Sequence, residues 1–431
     1  MKFSQVKEDL EKLDVGEMIE DEPMYKHTTY KVGGPARIYL KVKDVDSLIK
    51  TIKYCGKHRV KYLVIGRGSN LLFSDREYEG LIISLNECFN EIKVNGSCVV
   101  GILGKGSRCF MLRSDMDGLP FQEESGEEFA SQNGRMHACG HDLHATVLLG
   151  AARLLKQHES ELKGQVKLLF QPGEETFQGA RTAVEEGVLD HPKVDSAFAM
   201  HVAAQMSPEY VAYGSLPMAG VYGFRITLTG QGGHGSRPEK CIDPINTGVH
   251  VYLALQELIA RECPAISETA LTIGQFCAGS ASNVIPETAV LQGTLRSFDE
   301  KTMAHLIARL NEIVPSVAEA YRTKAEIEVI SDVPIVRCNE ELNQEIVEGL
   351  KELEPELKAV CAYHVMGSED FAYISQKIPA SYMCIGAGIE DVSKRYVEHN
   401  PKVRFHESVL VKGTAIYAGT AMRWLELHGN Q

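Results

Sequence analysis

Apolar runs recur along this chain, and most of them stop at a polar cluster. In RCFMLRSDMDGLP (108–120) the run ends at Asp115 and Asp117. QVKLLFQPGEE (165–175) ends at Glu174 and Glu175, and VDSAFAMHV (194–202) ends near His201. Between the first two, the residues after MHACGHDLH (136–144) place Leu148, Leu149, Ala152 and Leu155 on the apolar side of a predicted helix, with Asp142 as its expected N-cap. Continuous apolar strands alternating with helices predict a mostly parallel α/β sheet, whose ligands bind beyond the carboxyl ends of its strands.

The rhythm changes over residues 220–330. YGFRITLTG puts Tyr222, Phe224, Ile226 and Leu228 on one face and Arg225, Thr227 and Thr229 on the other, a period of two. Asp243-Pro244 predicts a helix start, and Ile245, Val249, Tyr252, Leu255 and Ile259 continue it as a helical apolar stripe. Strands in ALTIGQF and ETAVLQGTLRSF, a helix over 301–322 and a strand in KAEIEVI complete a β-α-β-β-α-β order, the ferredoxin-like motif. After residue 331 the chain is expected to return to the first sheet, with strand SYMCIGAG (381–388) and a helix from about 406. Residues 1–96 read as a separate small α/β unit. It has strands ARIYLKV, YLVIG and GLIISL, a helix over 44–58, and a glycine turn at Gly66, Gly68, Ser69 and Asn70 of the kind that cradles a pyrophosphate.

Composition narrows the function classes. The 431 residues are 44% hydrophobic and 24% charged, which is globular and long enough for two or three domains. A net charge of −13 argues against nucleic acid, and no apolar run reaches the length of a membrane span. Eleven cysteines without a framework, behind a charged amphipathic N-terminus, point to reduced thiols in the cytoplasm.

The candidate chemistry is a metal site. Cys139 with His141, Glu174 with Glu175, His201, and His399 in VEHNPKVRFHE offer mixed thiolate, imidazole and carboxylate donors. Such a set suits zinc, manganese, cobalt or nickel better than calcium or magnesium. Of two adjacent glutamates one can hold metal while the other stays free as a base. Singly, each cluster has a plainer explanation: Asp115 and Asp117 as a solvated strand end, Glu174 and Glu175 as first-turn acids, His144 and His201 as structural histidines, His399 as part of a polar loop. Their shared position at strand ends is what favours a site.

RSDMDGLP, MHACGHDLH, QPGEE, AMHV, GQGGHGSRPE, SASNVIPE, GSEDF and HNPKV, in this order, resemble the M20 family of metallopeptidases. The likeness is to its amidohydrolase branch, the hippurate, N-acyl-amino-acid and auxin-conjugate hydrolases, and covers residues 97–431. It implies a two-metal catalytic α/β domain (97–219 and 331–431) with an inserted ferredoxin-like lid (220–330) used for homodimerisation, and a small N-acyl amino acid or peptide as substrate. Carried over, Cys139, His141, Glu175, His201 and His399 are the metal ligands, with Cys139 bridging. Glu174 is the general base, Asp117 supports the metals, and His234 helps hold the substrate carbonyl. Asn283 and Arg296 fall where residues hold the substrate carboxylate.

Residues 1–96 depart from that pattern. KHTTYKVGGPARIYLKV and VIGRGSNLLF resemble the N-terminal flavin-binding part of UDP-N-acetylenolpyruvoylglucosamine reductase, without its later flavin-binding half, substrate domain or catalytic residues. The resemblance implies a truncated α/β segment with half of an FAD site at Gly66–Asn70. The hydrolase in turn lacks the two helices its relatives place before the first strand, here CVVGIL, and the switch falls near residues 94–101. The expectation is a fusion acting as a metal-dependent amidohydrolase. Its alternatives are an inactive fusion that binds metal without turnover, and a flavin-dependent reductase.

Overall fold

The computed structural model describes residues 3–28, 33–43, 45–65, 74, 76–85, 93–95 and 98–429. The chain divides into two units, Met1–Lys93 and Val94–Gln431.

In the first unit α1 (Phe3–Lys12) precedes β1 (Gly16–Pro23), β2 (Pro35–Val42), α2 (Val45–His58), β3 (Tyr62–Ile65) and β4 (Tyr78–Ser84). The sheet order is β1-β2-β4-β3, with β1 antiparallel to β2 and the other pairs parallel. Alternation along β2 divides the core. Ile38, Leu40 and Val42 meet Val6 and Leu10 of α1 and Cys55 of α2, while Tyr39 joins Met24 and Ile82. The apolar pattern predicts neither α1 nor β1. Among its described side chains the helix fully buries Val6 and Leu10 alone, and GEMIEDEP is an acidic edge strand, so neither carries an apolar run. The expected pyrophosphate turn, Gly66, Gly68, Ser69 and Asn70, lies outside the described residues.

The second unit holds β5 (Lys93–Asn95, at the boundary), β6 (Cys98–Gly104), β7 (Cys109–Asp115), α3 (His141–Gln157), β8 (Gln165–Gln171), α4 (Gly179–Glu185), β9 (Ser196–Ala203) and β10 (Tyr210–Tyr213). An insertion follows: β11 (Gly220–Thr229), β12 (Gly233–His234), α5 (Pro244–Glu257), β13 (Thr269–Ala278), β14 (Val284–Ile285), β15 (Thr288–Ser297), α6 (Glu300–Ala320) and β16 (Lys324–Val333). The chain then returns through α7 (Glu340–Leu353), β17 (Lys358–Cys361), α8 (Ala372–Ser375), β18 (Ala380–Gly386) and α9 (Ser408–His428).

The large sheet runs β17-β10-β18-β9-β7-β8-β6-β5. Its central strands β18, β9, β7 and β8 are parallel, and β6 is antiparallel to β8. Every residue of β7 is buried, because both sheet faces are covered. Phe110 and Leu112 face α3 and α9, against Leu148 and Ile416; Cys109 and Met111 face Ala180 of α4 and Ile374 of α8. In the insertion four antiparallel strands run β13-β15-β11-β16, and Phe224, Ile226 and Leu228 pack with Leu306 and Leu310 of α6. Among the described residues no helix is long and apolar enough to cross a membrane.

Three helix details differ from expectation. Asp142 lies in the first turn of α3, and the N-cap is Gly140. Leu149 is 57% exposed; α3 turns Leu143, Val147, Leu148, Ala151 and Leu155 inward instead. On α5 the buried set is Pro244, Thr247, Gly248, Val251 and Leu255, while Ile245, Val249 and Tyr252 are exposed. This helix is apolar on several sides, and close approach selects the face: a Cβ on Gly248 would fall 2.6 Å from the Phe276 ring. Asp243 does cap α5, accepting from Ile245 N at 2.9 Å.

These positions generate a paired test. Leu148→Ala is expected to cost about 2–5 kcal/mol in urea unfolding, and Leu149→Ala less than about 0.5 kcal/mol. Equal losses would contradict the orientation of α3.

Candidate metal centre

Strand ends and the turns after them deliver the candidate groups. β7 ends on Asp115, with Asp117 two residues on; Glu174 and Glu175 follow β8; His201 is in β9; Cys139 and His141 open α3; His399 is in the loop before α9. Two backbone features bring these segments together. Gly140 has φ +82°, and a Cβ there would sit 2.4 Å from Val202 Cγ2, so only glycine lets the Cys139 turn lie against β9. His399 has φ +65°, uncommon for a residue with a side chain, and is held by its N–H donating to Ala138 O at 3.0 Å.

Cys139 is the meeting point. Its Sγ lies 3.4 Å from His201 Nε2 and 3.3 Å from His399 Nε2, and His399 Nε2 lies 3.2 Å from Glu175 Oε1. Donor atoms of Cys139, His141 and His201, and of Cys139, Glu175 and His399, each fall within 4.8 Å of one another. His201 donates from Nδ1 to Val202 O at 2.6 Å, which leaves Nε2 with its lone pair on the Cys139 side. Asp117 sets Glu175 by accepting from its backbone N–H at 3.0 Å, and its other oxygen lies 3.3 Å from His141 Nδ1.

Several of these atoms are orphans. Among the described residues, both ring nitrogens of His141, Glu175 Oε1 and Asp117 Oδ1 are buried and, despite these close approaches, make no hydrogen bond of good geometry. Buried polar atoms rarely stay unpaired. A sulfur, nitrogen and oxygen donor set with such atoms fits a divalent ion of intermediate softness.

The electrostatics agree. Burial opposes a charge on His141, but Asp115, Asp117 and Glu175 overcome it and raise its pKa to about 9. Burial, with Glu175 and Glu174 beside it, pushes the Cys139 thiol up. Glu174 is pushed well above the carboxylate range by burial first and then by Glu369, Asp370 and Asp115. The cluster is thus over-supplied with negative charge, and a bound cation relieves it.

The centre opens into a cleft of about 660 Å³, lined by Cys139, Glu174, Glu175, His201 and His399. Arg296 of β15 reaches the same cleft, donating to Met366 O at 2.8 Å and Ser368 Oγ at 3.1 Å. Among the described residues no carboxylate pairs with it. Phe177, Val202, Met206, Met218, Tyr363 and Val365 supply an apolar wall. His234 and Asn283 are not brought to the cleft: His234 is exposed in β12 and Asn283 in the turn just before β14, where Gly235 N donates to Asn283 O at 2.8 Å.

Sequence reasoning assigned no role to Arg113, Glu369 or Asp370. Arg113, buried in β7, donates to Asp115 at 2.7 Å, Glu369 at 2.9 Å and Asp370 at 2.8 Å. The available signal was a charged residue inside an otherwise apolar strand.

Residues 111–423 match the model for Peptidase family M20/M25/M40, and residues 36–102 match that for an FAD binding domain. An IAA-amino acid hydrolase of Arabidopsis thaliana is 36% identical over 337 residues, 76% of this chain and 75% of that protein. An N-acetyl-L-cysteine deacetylase of Bacillus subtilis is 34% identical, over 73% of this chain and 74% of that one. The crystal structure of a dinuclear metal-binding M20 peptidase from Bacillus subtilis superposes with a TM-score of 0.63 at 30% identity, covering 76% of this chain and 85% of that one. Strand-end donors, cleft and relatives agree: the chain belongs to peptidase family M20/M25/M40, a family of metal-dependent hydrolases, and carries an FAD-binding-like segment at its N-terminus.

Proposed function

We propose that the protein hydrolyses the amide bond of N-acyl amino acids or small peptides at a two-metal centre. The observation that carries this reading is the position of Cys139 Sγ between His201 Nε2 and His399 Nε2, with donor groups on either side. Cys139, His141 and His201 would hold one ion and Cys139, Glu175 and His399 the other; manganese, zinc, cobalt and nickel all suit these donors. Bound there, the ions polarise the scissile carbonyl and lower the pKa of the attacking water.

The chain's own groups do the rest. Glu174, buried beside the donors but assigned to neither ion, takes the water's proton on its carboxylate and returns it to the leaving amine nitrogen. Asp117 keeps Glu175 and His141 in place. The Arg296 guanidinium pairs with the substrate carboxylate, and the apolar wall takes the acyl or side-chain group. His234 and Asn283 complete the carbonyl and carboxylate contacts from a second copy of the chain. The exposed Val249 and Leu253 of α5 and the open edge strand β13 support the insertion as the dimerising surface.

The ten cysteines among the described residues are free thiols, in keeping with a cytoplasmic enzyme. Flavin chemistry forms no part of this reading, since the FAD-binding match stops at residue 102.

Stripping the metals with chelator should abolish hydrolysis of a panel of N-acetyl, N-benzoyl and indole-acetyl amino acids, and added manganese, cobalt, nickel or zinc should restore it. Two ions bound per chain with no turnover would identify an inactive fusion instead. Glu174→Gln should keep both ions and lose about 10²–10⁴-fold in kcat; retained activity would remove Glu174 from the base role. Arg296→Met should raise KM about 10-fold or more with kcat little changed. Equal KM for the carboxylate and its methyl ester in the parent enzyme would contradict the carboxylate contact.

A further inference from the structure

We propose that Tyr417 and His144 are positioning residues that hold open a split in the large sheet, and that the width of this split sets the spacing of the metal donors. The proposal rests on reading the donor cluster as a metal centre.

The split is visible in the strand register. β7 stays paired with β8 as far as Asp115↔Gln171, and β9 stays paired with β18 as far as Ala203↔Gly386. Between β7 and β9 the ladder runs only from Phe110↔Ser196 to Arg113↔Ala199. The two central strands therefore part at their carboxyl ends while each keeps its outer neighbour. Backbone groups turned into such a gap still need partners when buried.

Two side chains bridge the gap, Tyr417 between backbone groups of both strands and His144 between a β9 N–H and the Asp115 carboxylate. The Tyr417 hydroxyl, on α9, donates to Arg113 O at 2.6 Å and accepts from Met200 N at 2.9 Å. One turn nearer the site, His144 on α3 lies 2.5 Å by Nδ1 from Asp115 Oδ1, and its Nε2 accepts from Val202 N at 2.9 Å. Nδ1 is therefore the protonated nitrogen and the ring is neutral. Each bridge joins β7 to β9. Placing a hydroxyl oxygen where one direct hydrogen bond would run adds roughly 2 Å to the rung.

His144 is not itself a metal ligand, because both of its nitrogens are engaged. It acts through its neighbours: its ring centroid lies 4.6 Å from that of His201 on β9 and 5.4 Å from that of His141. The donor group Cys139–His141–His201 straddles the split, with His141 beside Asp115 and Asp117 and His201 on the far strand. Were β7 and β9 to close by one rung, the distance between His141 and His201 would change and that ion would lose its fit. Tyr417 is buried and unreactive in this role, with its hydroxyl committed on both sides.

The test is manganese binding to chelator-stripped parent protein and Tyr417→Phe, by calorimetry well below the unfolding temperature of each, with the metal-free thermal midpoint measured alongside. The parent is expected to bind two Mn²⁺ per chain. Tyr417→Phe should bind one of the two about 10-fold more weakly or worse, because it loses only the hydroxyl that spans the gap. A lower midpoint with both ions bound as in the parent would overturn the proposal and leave Tyr417 as packing alone. If Tyr417→Phe does not fold, His144→Leu, which removes the second bridge, is judged by the same readout. Failure of the parent to bind Mn²⁺ would instead overturn the metal-centre reading itself.

Discussion

A single guanidinium buried among carboxylates is the constraint on which the strand ends depend. Arg113 is 1% exposed, and its N–H groups donate to Gln171, Asp115, Glu369 and Asp370. Those four partners belong to β8, to β7 itself and to the loop before α8, so one side chain ties three segments. The tie extends outward: Asp370 also accepts from Gln171 and from the first turn of α4 at Ala180, and Tyr382 of β18 donates to Glu369. Removing one partner from a buried charge network of this kind costs about 3–5 kcal/mol. The same network brings more negative charge than one guanidinium can balance. Glu174 sits just beyond it, in the same excess of negative charge.

The junction between the two sequence resemblances is not where the structure divides. The FAD-binding match runs to residue 102 and the peptidase match begins at 111. Yet β6, most of which falls inside the FAD-binding match, pairs from Val99 to Gly104 with β8 in the large sheet, and the unit boundary falls earlier, after Lys93. The reason is ladder geometry. Cys98 and Val100 are apolar, and burying a strand requires a partner for every backbone N–H and C=O along it. β8 offers that edge.

Most of the candidate site was legible because its residues stand at or just beyond strand ends. Apolar runs that stop at Asp115, shortly before Glu174 or near His201 announce both a buried strand and a polar group beyond it; Glu174 and His201 line one cleft, and Asp115 is buried beside His141. The N-cap at Asp243 and the period of two along β11 were readable for similarly local reasons. The miscast positions share a cause. Leu149, Ile245, Val249 and Tyr252 are apolar residues on helices with more apolar surface than one face can bury, and composition alone does not say which face that is. Gly248 against Phe276 decides it for α5, through a contact 28 residues away in sequence.

The sequence by itself determined the alternation of strands and helices, the donor types and their order along the chain, because these follow from local pattern and chemistry. The tertiary structure alone decided that Cys139, Glu175, His201 and His399 meet, that Arg113 neutralises carboxylates up to 257 positions away, and that His234 and Asn283 stand apart from the cleft. It also decided where β7 and β9 part and which side chains fill the gap. A hydroxyl on one helix becomes part of a strand ladder only when helix and sheet are packed. No pattern confined to either segment encodes that distance.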